Sequence, residues 1–350
     1  MSINVFRAFQ EASLWDQHLN RLPLEMQDIY FTHEYVSMNI LNDNSDAALF
    51  VYQENNSYWL HTFIISKVRN DLLDNHEKYY DIETPYGYGG PIANTKNKSF
   101  LINAQKQFFI WCKQHSIIAE FVRFHPLLGN YRFYNMLDEI KFNRKTISND
   151  LTNIDEDSAY DTKTRNMLRK FRKSNLKIIK TKSKDLFYNF VKLYKETIEK
   201  KEVSNFYFFS DLYFKNLFKL VESSGWLLYC KNIQNEMVGG AVVLKGSNLL
   251  HYHLAASKKD SIYAGLGNAI IHEAALLAKS LSCQKLHLGG GNTDSLEDNL
   301  FKFKKKMGNS ENDFFIGNKI NNHDVYNKMK KRWIENNEEA NVKNRILFYK

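Results

Sequence analysis

GWLLYCKN (225–232), EMVGGAVVLKG (236–246) and NLLHYHLAAS (248–257) are three strand-like runs, which GNAIIHEAALLAKSLS (267–282) and QKLHLGGG (284–291) follow. Turn residues separate the first three runs, so they are predicted to form an antiparallel meander. The fourth run has apolar residues at helical spacing, and the fifth is typical of a buried strand. Three strands, a helix and a strand together predict one α/β unit with a mixed sheet.

The first half of the chain repeats this order loosely. AALFVYQ (47–53) and SYWLHTFIISKV (57–68) are predicted to form a hairpin, KSFLINAQKQFFIWCKQH (98–115) a helix and IIAEFVRFHPLL (117–128) a strand. The acidic, polar segment TNIDEDSAYDTKT (152–164) is the best candidate for a domain junction. We therefore expect two related α/β lobes, at 1–152 and 153–320, and a C-terminal helix and tail at 321–350 that packs back on the first lobe.

Length and composition agree with two lobes, because 350 residues at about 150 per domain suggest two domains. No apolar run reaches the about 20 residues of a membrane helix, and the N-terminal residues do not resemble a signal peptide, so we expect a cytoplasmic protein. The three cysteines are widely spaced without a CxxC pair, which favours buried thiols over disulfides or zinc.

The net charge of +9 favours an anionic partner: nucleic acid, a nucleotide diphosphate, a phospholipid headgroup or an anionic membrane surface. A composition generally rich in lysine and asparagine is the alternative explanation. A basic helix, TRNMLRKFRKSNLKIIKTKS (164–183), concentrates this charge, with Arg165 and Arg169 one turn apart. Its charged face is either a solvated surface or a surface that contacts phosphate.

Two of the four prolines and three of the fifteen glycines lie in DIETPYGYGGPIAN (81–94). Proline restricts the backbone and glycine allows sharp turns, so this loop would hold Tyr86 and Tyr88 in defined positions. It is either a structural turn or a binding loop.

Two further segments are candidate sites. In YAGLGNAIIHEAALLAK (263–279), Gly265, Gly267 and Asn268 open a helix whose free N–H groups could face a phosphate, although the GxGxxG spacing is incomplete and a tight turn is the alternative. His251 and His253 lie two apart on a strand, but with no third ligand at metal spacing they are interpreted as residues lining the sheet, and no metal site is predicted.

The segment LHLGGGNTDSLEDNLFKFKKKMG (286–308) carries the strongest catalytic candidates. A strand ends in three glycines, which allow close backbone approach, and Phe303 and Lys304 follow. A lysine at such a place could stabilise an oxyanion or bind phosphate; a solvated basic helix end is the alternative.

Four motifs in this order resemble FemABX-like proteins of the GNAT acyltransferase superfamily: PYGYGGP (85–91), TRNMLRKFRK (164–173), HYHLAAS (251–257), and LHLGGG (286–291) followed by LFKFKKKMG (300–308). The resemblance extends over about residues 15 to 320. It implies two GNAT-like lobes, each a mixed sheet flanked by helices, without the long coiled-coil arm of some members. It also implies acyl transfer to nitrogen, with acyl-CoA or aminoacyl-tRNA as co-substrate and no permanently bound cofactor.

The resemblance assigns roles to individual residues. The family's Phe-Lys pair corresponds to Phe303 and Lys304, with the lysine beside the acyl-donor ester, and the family's strand tyrosine corresponds to Tyr252. Where peptidoglycan enzymes of the family carry an aspartate after the GP motif, this chain has Asn94, which cannot accept a proton at neutral pH. A general base at this position is therefore not expected, although Asn94 remains a candidate substrate contact beside Tyr86, Tyr88, Arg165 and Arg169.

The expected acceptor is an amine of a cell-envelope precursor, namely a nucleotide- or lipid-linked amino sugar whose diphosphate the basic residues would hold. The first alternative is aminoacyl-tRNA-dependent transfer to a peptidoglycan stem peptide. The second is a non-catalytic, basic protein that binds RNA or a membrane surface. The expected partners are thus an anionic saccharide precursor, with tRNA and peripheral contact with the inner membrane surface left open, and no DNA.

Overall fold

The computed structural model describes residues 1–40, 42–73, 78–151, 160–200, 208–337 and 345–350. The chain divides into two compact units, Met1–Asn143 with Phe314–Lys350, and Arg144–Asp313. The boundary expected between residues 152 and 153 lies outside the described residues. The observed divisions fall instead at Asn143 and at Asp313, each within a strand.

Within the described residues the strands are β1 (Ser2–Arg7), β2 (Ser45–Glu54), β3 (Ser57–Lys67), β4 (Tyr80–Glu83), β5 (Ile92–Ala93), β6 (Ile117–Arg123), β7 (Glu139–Asp150), β8 (Ile179–Thr181), β9 (Gly225–Lys231), β10 (Met237–Lys245), β11 (Leu249–Ser257), β12 (Lys285–Gly289) and β13 (Ser310–Ile320). The α-helices are α1 (Ala12–Leu19), α2 (His33–Met38), α3 (Lys98–Gln114), α4 (Thr162–Lys173), α5 (Lys184–Glu199), α6 (Asp211–Ser224), α7 (Leu266–Ser280), α8 (Asn299–Met307) and α9 (His323–Glu335).

The first unit contains a mixed sheet. Strands β1, β2, β3 and β4 pair antiparallel in chain order, β4 pairs in parallel with β6, and α3 connects these two strands. The free edge of β6 pairs antiparallel with β13 from Ile316 to Ile320. The predicted hairpin, helix and strand of the first half are confirmed.

Helix α3 covers one face of this sheet because its apolar residues recur every three or four positions. Phe100, Ala104, Phe108 and Trp111 are buried against strand residues that include Trp59. Replacing one of the aromatic residues by alanine would cost about 3–5 kcal/mol through the cavity it leaves.

The second unit repeats the order. Strands β8, β9, β10 and β11 pair antiparallel, β11 pairs in parallel with β12, and α7 connects these two strands. The other edge of β12 pairs antiparallel with β7. The meander and helix predicted from residues 225–291 are confirmed, as is the expectation of two related lobes that each contain a mixed sheet flanked by helices.

The C-terminal residues belong to the first unit. Helix α9 buries Tyr326 and Met329 in a cluster with Ile118 of β6. Farther along, the Tyr349 hydroxyl donates to Asp81 of β4 at 2.8 Å, so both the helix and the last described residues contact this sheet.

Three sequence expectations concern features outside the sheets. The longest helix in the described ranges, α3, has 17 residues, so no long coiled-coil arm occurs there. In the same ranges no helix combines the length and apolar character needed to cross a bilayer. The cysteines Cys112, Cys230 and Cys283 are all buried thiols, as predicted.

Candidate functional site

The parallel strands of the second unit pair over only a short distance. Strand β11 pairs with β12 from Leu249 to His251, and then continues to Ser257, whereas β12 ends at Gly289. The register of β11 against β10 shifts by one residue, since Val242 lies opposite Leu254 and Val243 opposite Tyr252. Crevices beyond the carboxyl ends of parallel strands commonly bind ligands, and bulges are frequent beside active sites, so this end of the unit is the candidate ligand site.

Helix α7 begins at this end of the parallel strands. Its N-cap, Gly265, has a φ of +85° and no side chain to accept from the first-turn N–H groups. A Cβ at Gly265 would lie 2.2 Å from the Met167 carbonyl oxygen of α4, so only glycine fits this approach. By contrast, Asn97 caps α3 by accepting from the N–H groups of Ser99 and Phe100. The N-terminus of α7 can therefore attract an anion.

Helix α8 lies against the first turn of α7. The Phe303 ring packs over Gly267, with its Cζ 3.2 Å from the position of a Cβ there. The Asn268 amide donates to Met307 Sδ at 3.2 Å, so this side chain already has a protein contact. Asp298 fixes the start of α8 by accepting from the Phe301 N–H at 2.9 Å.

Lys304 lies on α8 beside the glycine-rich end of β12. Its Nζ donates to the Gly290 carbonyl oxygen at 2.7 Å. Burial lowers the pKa of Lys304 to about 8, although the negative charge of Asp298 acts in the opposite direction. An ammonium has three donors, so after the contact with Gly290 two can still face a substrate. Lys304 is thus a partly buried cation on α8, the helix that packs against the first turn of α7.

Tyr252 lies on the α7 side of β11. It is partly buried and packs against the same core cluster as Leu266 and Ile270 of α7. Burial raises the pKa of its phenol, so Tyr252 stays protonated and can donate a hydrogen bond. The second unit therefore places Gly267, Asn268 and Phe303 at the contact of α7 with α8, which also carries Lys304, and Tyr252 on the core cluster that includes α7.

The two predicted arginines lie on α4, whose Met167 meets the α7 N-cap. Arg165 is partly buried and donates to Thr162 Oγ1 at 3.2 Å, whereas Arg169 is exposed and donates to Asn166 Oδ1 at 3.4 Å. From Lys163 to Lys184 the chain has ten cationic and no acidic side chains. This segment offers a strongly basic surface on the second unit.

The tyrosines of the PYGYGGP loop belong to the first unit, whereas Lys304 belongs to the second. The Tyr35 hydroxyl donates to the Tyr86 carbonyl oxygen at 2.8 Å, and the Asn39 side chain accepts from the Tyr86 N–H at 3.1 Å. The ring of Tyr88 lies 5.3 Å from that of Tyr30 and 5.2 Å from that of Phe314. Both loop tyrosines are partly buried, so the loop is held by packing and hydrogen bonds on several sides.

Asn94 also lies in the first unit, where its side chain holds a turn. Its Oδ1 accepts from the Tyr58 N–H at 2.8 Å, and its Nδ2 donates to the Asn56 carbonyl oxygen at 2.8 Å. These bonds join the residue after β5 to the start of β3 and to the turn between β2 and β3. Both ends of the amide are therefore used in local structure, and its role as a substrate contact remains a prediction.

The strand histidines each contact another side chain. His251 Nδ1 lies 3.4 Å from His287 Nδ1, and His253 Nε2 lies 2.8 Å from the Tyr213 hydroxyl. Neither Asp298 nor Tyr213 was identified from the sequence, and the contact of Gly290 with Lys304 was not predicted. An aspartate directly before an amphipathic run is a recognisable N-cap signal, whereas the contacts of Gly290 and Tyr213 depend on tertiary structure.

Two units that each contain an antiparallel meander, a crossover helix and a parallel strand define a tandem GNAT-like architecture. Comparison with solved structures agrees: the chain superposes on FemX with a TM-score of 0.68 at 14% identity, covering 93% of this chain and 99% of FemX. It superposes on L-PGS from Bacillus licheniformis with a TM-score of 0.59 at 12% identity, covering 93% and 97%.

A tandem GNAT protein from the clavulanic acid biosynthesis pathway gives a TM-score of 0.52 at 6% identity, covering 91% of this chain and 99% of that one. No family model and no curated protein sequence matches the chain. At these identities the likeness shows the fold, and it confirms the FemABX-like tandem GNAT fold that the four motifs implied.

Proposed function

We propose that the protein is an N-acyltransferase that transfers an acyl or aminoacyl group to an amine of a cell-envelope precursor. The observation that carries the proposal is the contact of Lys304 Nζ with the Gly290 carbonyl oxygen, beside an α7 N-terminus whose cap has no side chain. A desolvated cation and free backbone N–H groups at one end of a parallel strand pair suit an acyl donor that carries phosphate. Acyl-CoA and aminoacyl-tRNA are both acyl donors that carry phosphate.

In this reaction the acceptor amine attacks the acyl carbonyl carbon as the neutral base. A tetrahedral intermediate forms, its oxygen becomes negatively charged, and the bond to the thiolate or ribose oxygen of the donor then breaks. The ammonium of Lys304 would stabilise the negative oxygen or the leaving group, and the Tyr252 hydroxyl would donate to the carbonyl. The proton lost by the amine ends on the leaving group or on water.

For the acceptor we propose a nucleotide- or lipid-linked amino sugar. The tyrosines of the PYGYGGP loop are candidates for contacts with the sugar, and Arg165 and Arg169 for contacts with its diphosphate. The basic surface of α4 supports an anionic partner, which includes tRNA and the inner membrane surface as further candidates. The competing acceptor is a peptidoglycan stem peptide, which the resemblance to FemABX-like proteins implies.

The test is a reconstituted transfer assay with acetyl-CoA and with charged tRNA as donors and an amino-sugar nucleotide as acceptor. We expect Lys304→Ala to lower kcat about 100- to 1,000-fold, the usual loss when one oxyanion-stabilising donor is removed. Lys306→Ala, two residues away on the exposed part of α8, is the matched control and should retain activity. Equal turnover by both variants would remove Lys304 from the mechanism.

Ribonuclease treatment distinguishes the donors. Activity that disappears with ribonuclease points to aminoacyl-tRNA, whereas resistant activity points to acyl-CoA. Mass spectrometry of the envelope saccharide from cells with and without the protein then identifies the acceptor. If no donor supports transfer and the protein still binds RNA or anionic vesicles with a steep dependence on salt, the non-catalytic alternative replaces this proposal.

A further inference from the structure

Strand β11 carries a β-bulge at His253. The residues on either side of it, Tyr252 and Leu254, lie opposite the consecutive residues Val243 and Val242 of β10, so His253 is the extra residue of the bulge. The bulge changes which side chains face α7: Leu250, Tyr252 and then Ala255 contact the α7 core cluster, where an unbroken strand would present Leu254. The direction of the strand beyond Tyr252 therefore depends on this one residue.

The bulge also lies where β11 loses one of its neighbours. Pairing with β12 ends at His251, so from Tyr252 onward β10 alone, among the strands in the described ranges, continues the ladder beside β11. A strand with one hydrogen-bonded neighbour is less constrained than one with two. Support from outside the sheet would therefore help to define the bulge at this point.

That support comes from Tyr213 of α6. The Tyr213 hydroxyl lies 2.8 Å from His253 Nε2, and the tyrosine side chain is fully buried. Its ring stacks on Phe209 with centroids 4.1 Å apart, and its backbone N–H donates to Ser210 Oγ at 3.2 Å. Because both the backbone and the ring of Tyr213 are held, its hydroxyl is a fixed anchor for the imidazole.

The imidazole is suited to this contact because it is neutral. Burial, and then the nearby His251, lower the pKa of His253 to about 3. A neutral imidazole has one nitrogen that accepts and one that donates, so its Nε2 can accept the hydroxyl proton of Tyr213.

We propose that Tyr213 and His253 form a positioning pair for acyl transfer: their hydrogen bond holds the bulge of β11 and so aims residues 252–257 along the donor crevice. The proposal rests on the proposed function, because the direction of residues 252–257 affects a reaction rate only when a donor is bound beside them. Neither residue needs to touch the donor. The pair acts through Tyr252 and the strand backbone. A misplacement of about 1 Å in a group that positions the substrate can lower a rate about 100-fold.

The experiment compares Tyr213→Phe, His253→Leu and His253→Gln in the full chain. Tyr213→Phe and His253→Leu remove the hydrogen bond and should each lower kcat about 10- to 100-fold with little change in the KM for the acceptor. His253→Gln provides an amide at about the position of Nε2 and should recover most of the lost kcat. Tyr326→Phe is the matched control: it removes a hydroxyl that donates to the Ile346 carbonyl oxygen at 2.7 Å, outside this unit, and should leave kcat unchanged.

A second measurement does not need turnover. Hydrogen exchange followed by mass spectrometry should show faster exchange in residues 252–257 of Tyr213→Phe, with β9 unchanged. Unchanged exchange in those residues, or unchanged kcat in both variants that remove the bond, would overturn the proposal. If the wild-type protein transfers no acyl group from acetyl-CoA or charged tRNA, the proposed function fails together with the catalytic part of this proposal, and the exchange result still decides whether the pair holds the bulge.

Discussion

At the scale of single residues, Lys304 shows how the fold changes the chemistry of an ordinary side chain. A lysine in water titrates near 10.4, whereas burial lowers the pKa of Lys304 to about 8. The group is therefore mostly charged at neutral pH but loses its proton at mildly alkaline pH. If the charged form is needed, the activity carried by Lys304 is present below pH 8 and lost as the pH rises through that value.

The pH profile of kcat/KM should therefore depend on the titration of Lys304. The wild-type profile should rise as the acceptor amine becomes neutral and fall again through about pH 8 as Lys304 loses its proton. In Lys304→Arg the guanidinium stays charged, so any remaining activity should lack the alkaline fall. An arginine variant with the same alkaline fall would assign that titration to another group.

Asn94 stands where the resemblance to peptidoglycan enzymes implies an aspartate, and its contacts predict what Asn94→Asp would do. An aspartate keeps an acceptor for the Tyr58 N–H but loses the donor to the Asn56 carbonyl oxygen, so two oxygens would face each other. We expect a loss of about 1–3 kcal/mol in the free energy of unfolding, measured by urea denaturation. Acyl transfer per folded molecule should not increase; a clear gain would mean that position 94 can serve as a base.

At the scale of elements, the contact of α7 with α4 requires glycine at position 265. Gly265→Ala would put a Cβ 2.2 Å from the Met167 carbonyl oxygen and also force alanine into a positive φ of +85°. Gly129 provides a control with a φ of +60°, where the nearest atom to an added Cβ is Arg132 Nη1 at 3.8 Å. Gly129→Ala should cost about 1–2 kcal/mol from backbone strain alone.

Gly265→Ala should cost clearly more than Gly129→Ala, because α4 and α7 must also move apart. Urea denaturation measures both values, and calorimetry with acetyl-CoA checks whether the α7 N-terminus still binds an anionic donor. Equal losses in the two variants would show that the helices adjust to the extra methyl group without strain.

The elements themselves could be predicted from the sequence because their signals are local. The meander of β9, β10 and β11 and the helix α7 follow from apolar periodicity between turn residues. The point at which β11 leaves β12 could not be predicted, since it depends on pairing between residues 36 apart, such as His251 and His287. The bulge at His253 was missed for the same reason: it is a matter of register, which the pattern of apolar residues does not reveal.

The candidate site could likewise be predicted only in part from the sequence. The resemblance of the FKFKKKMG segment to a family motif singled out Lys304, but its lowered pKa depends on burial that only the folded unit provides. Asn94 was singled out by its place after the GP motif, and the turn that it holds involves Asn56 and Tyr58, far away in the chain. The motifs thus identified candidate residues, whereas tertiary contacts determine the chemistry of each residue.

At the scale of the whole molecule, Phe314–Lys350 belong to the same unit as Met1–Asn143. Lys350 Nζ lies 2.5 Å from Asp81 Oδ1 and 2.9 Å from Glu83 Oε1, and the side chain of Asp81 is fully buried. Burial raises the pKa of Asp81, while Lys350 opposes that rise. The ionised form of Asp81 is therefore stabilised by Lys350, which lies 269 positions farther along the chain.

The pairing of Lys350 with Asp81 should contribute to the stability of the fold. Lys350→Met removes the cation and leaves Asp81 without its charged partner, so we expect a loss of about 2–4 kcal/mol in the free energy of unfolding. The loss should shrink when Asp81→Asn is added, because removing both charges of a buried pair costs less than removing one. Lys331→Ala, at an exposed position of α9, is the control and should change stability by less than about 0.5 kcal/mol. A double variant no more stable than Lys350→Met would mean that the packing of Tyr349 and Lys350, rather than their charge and hydrogen bonds, holds the end of the chain on β4.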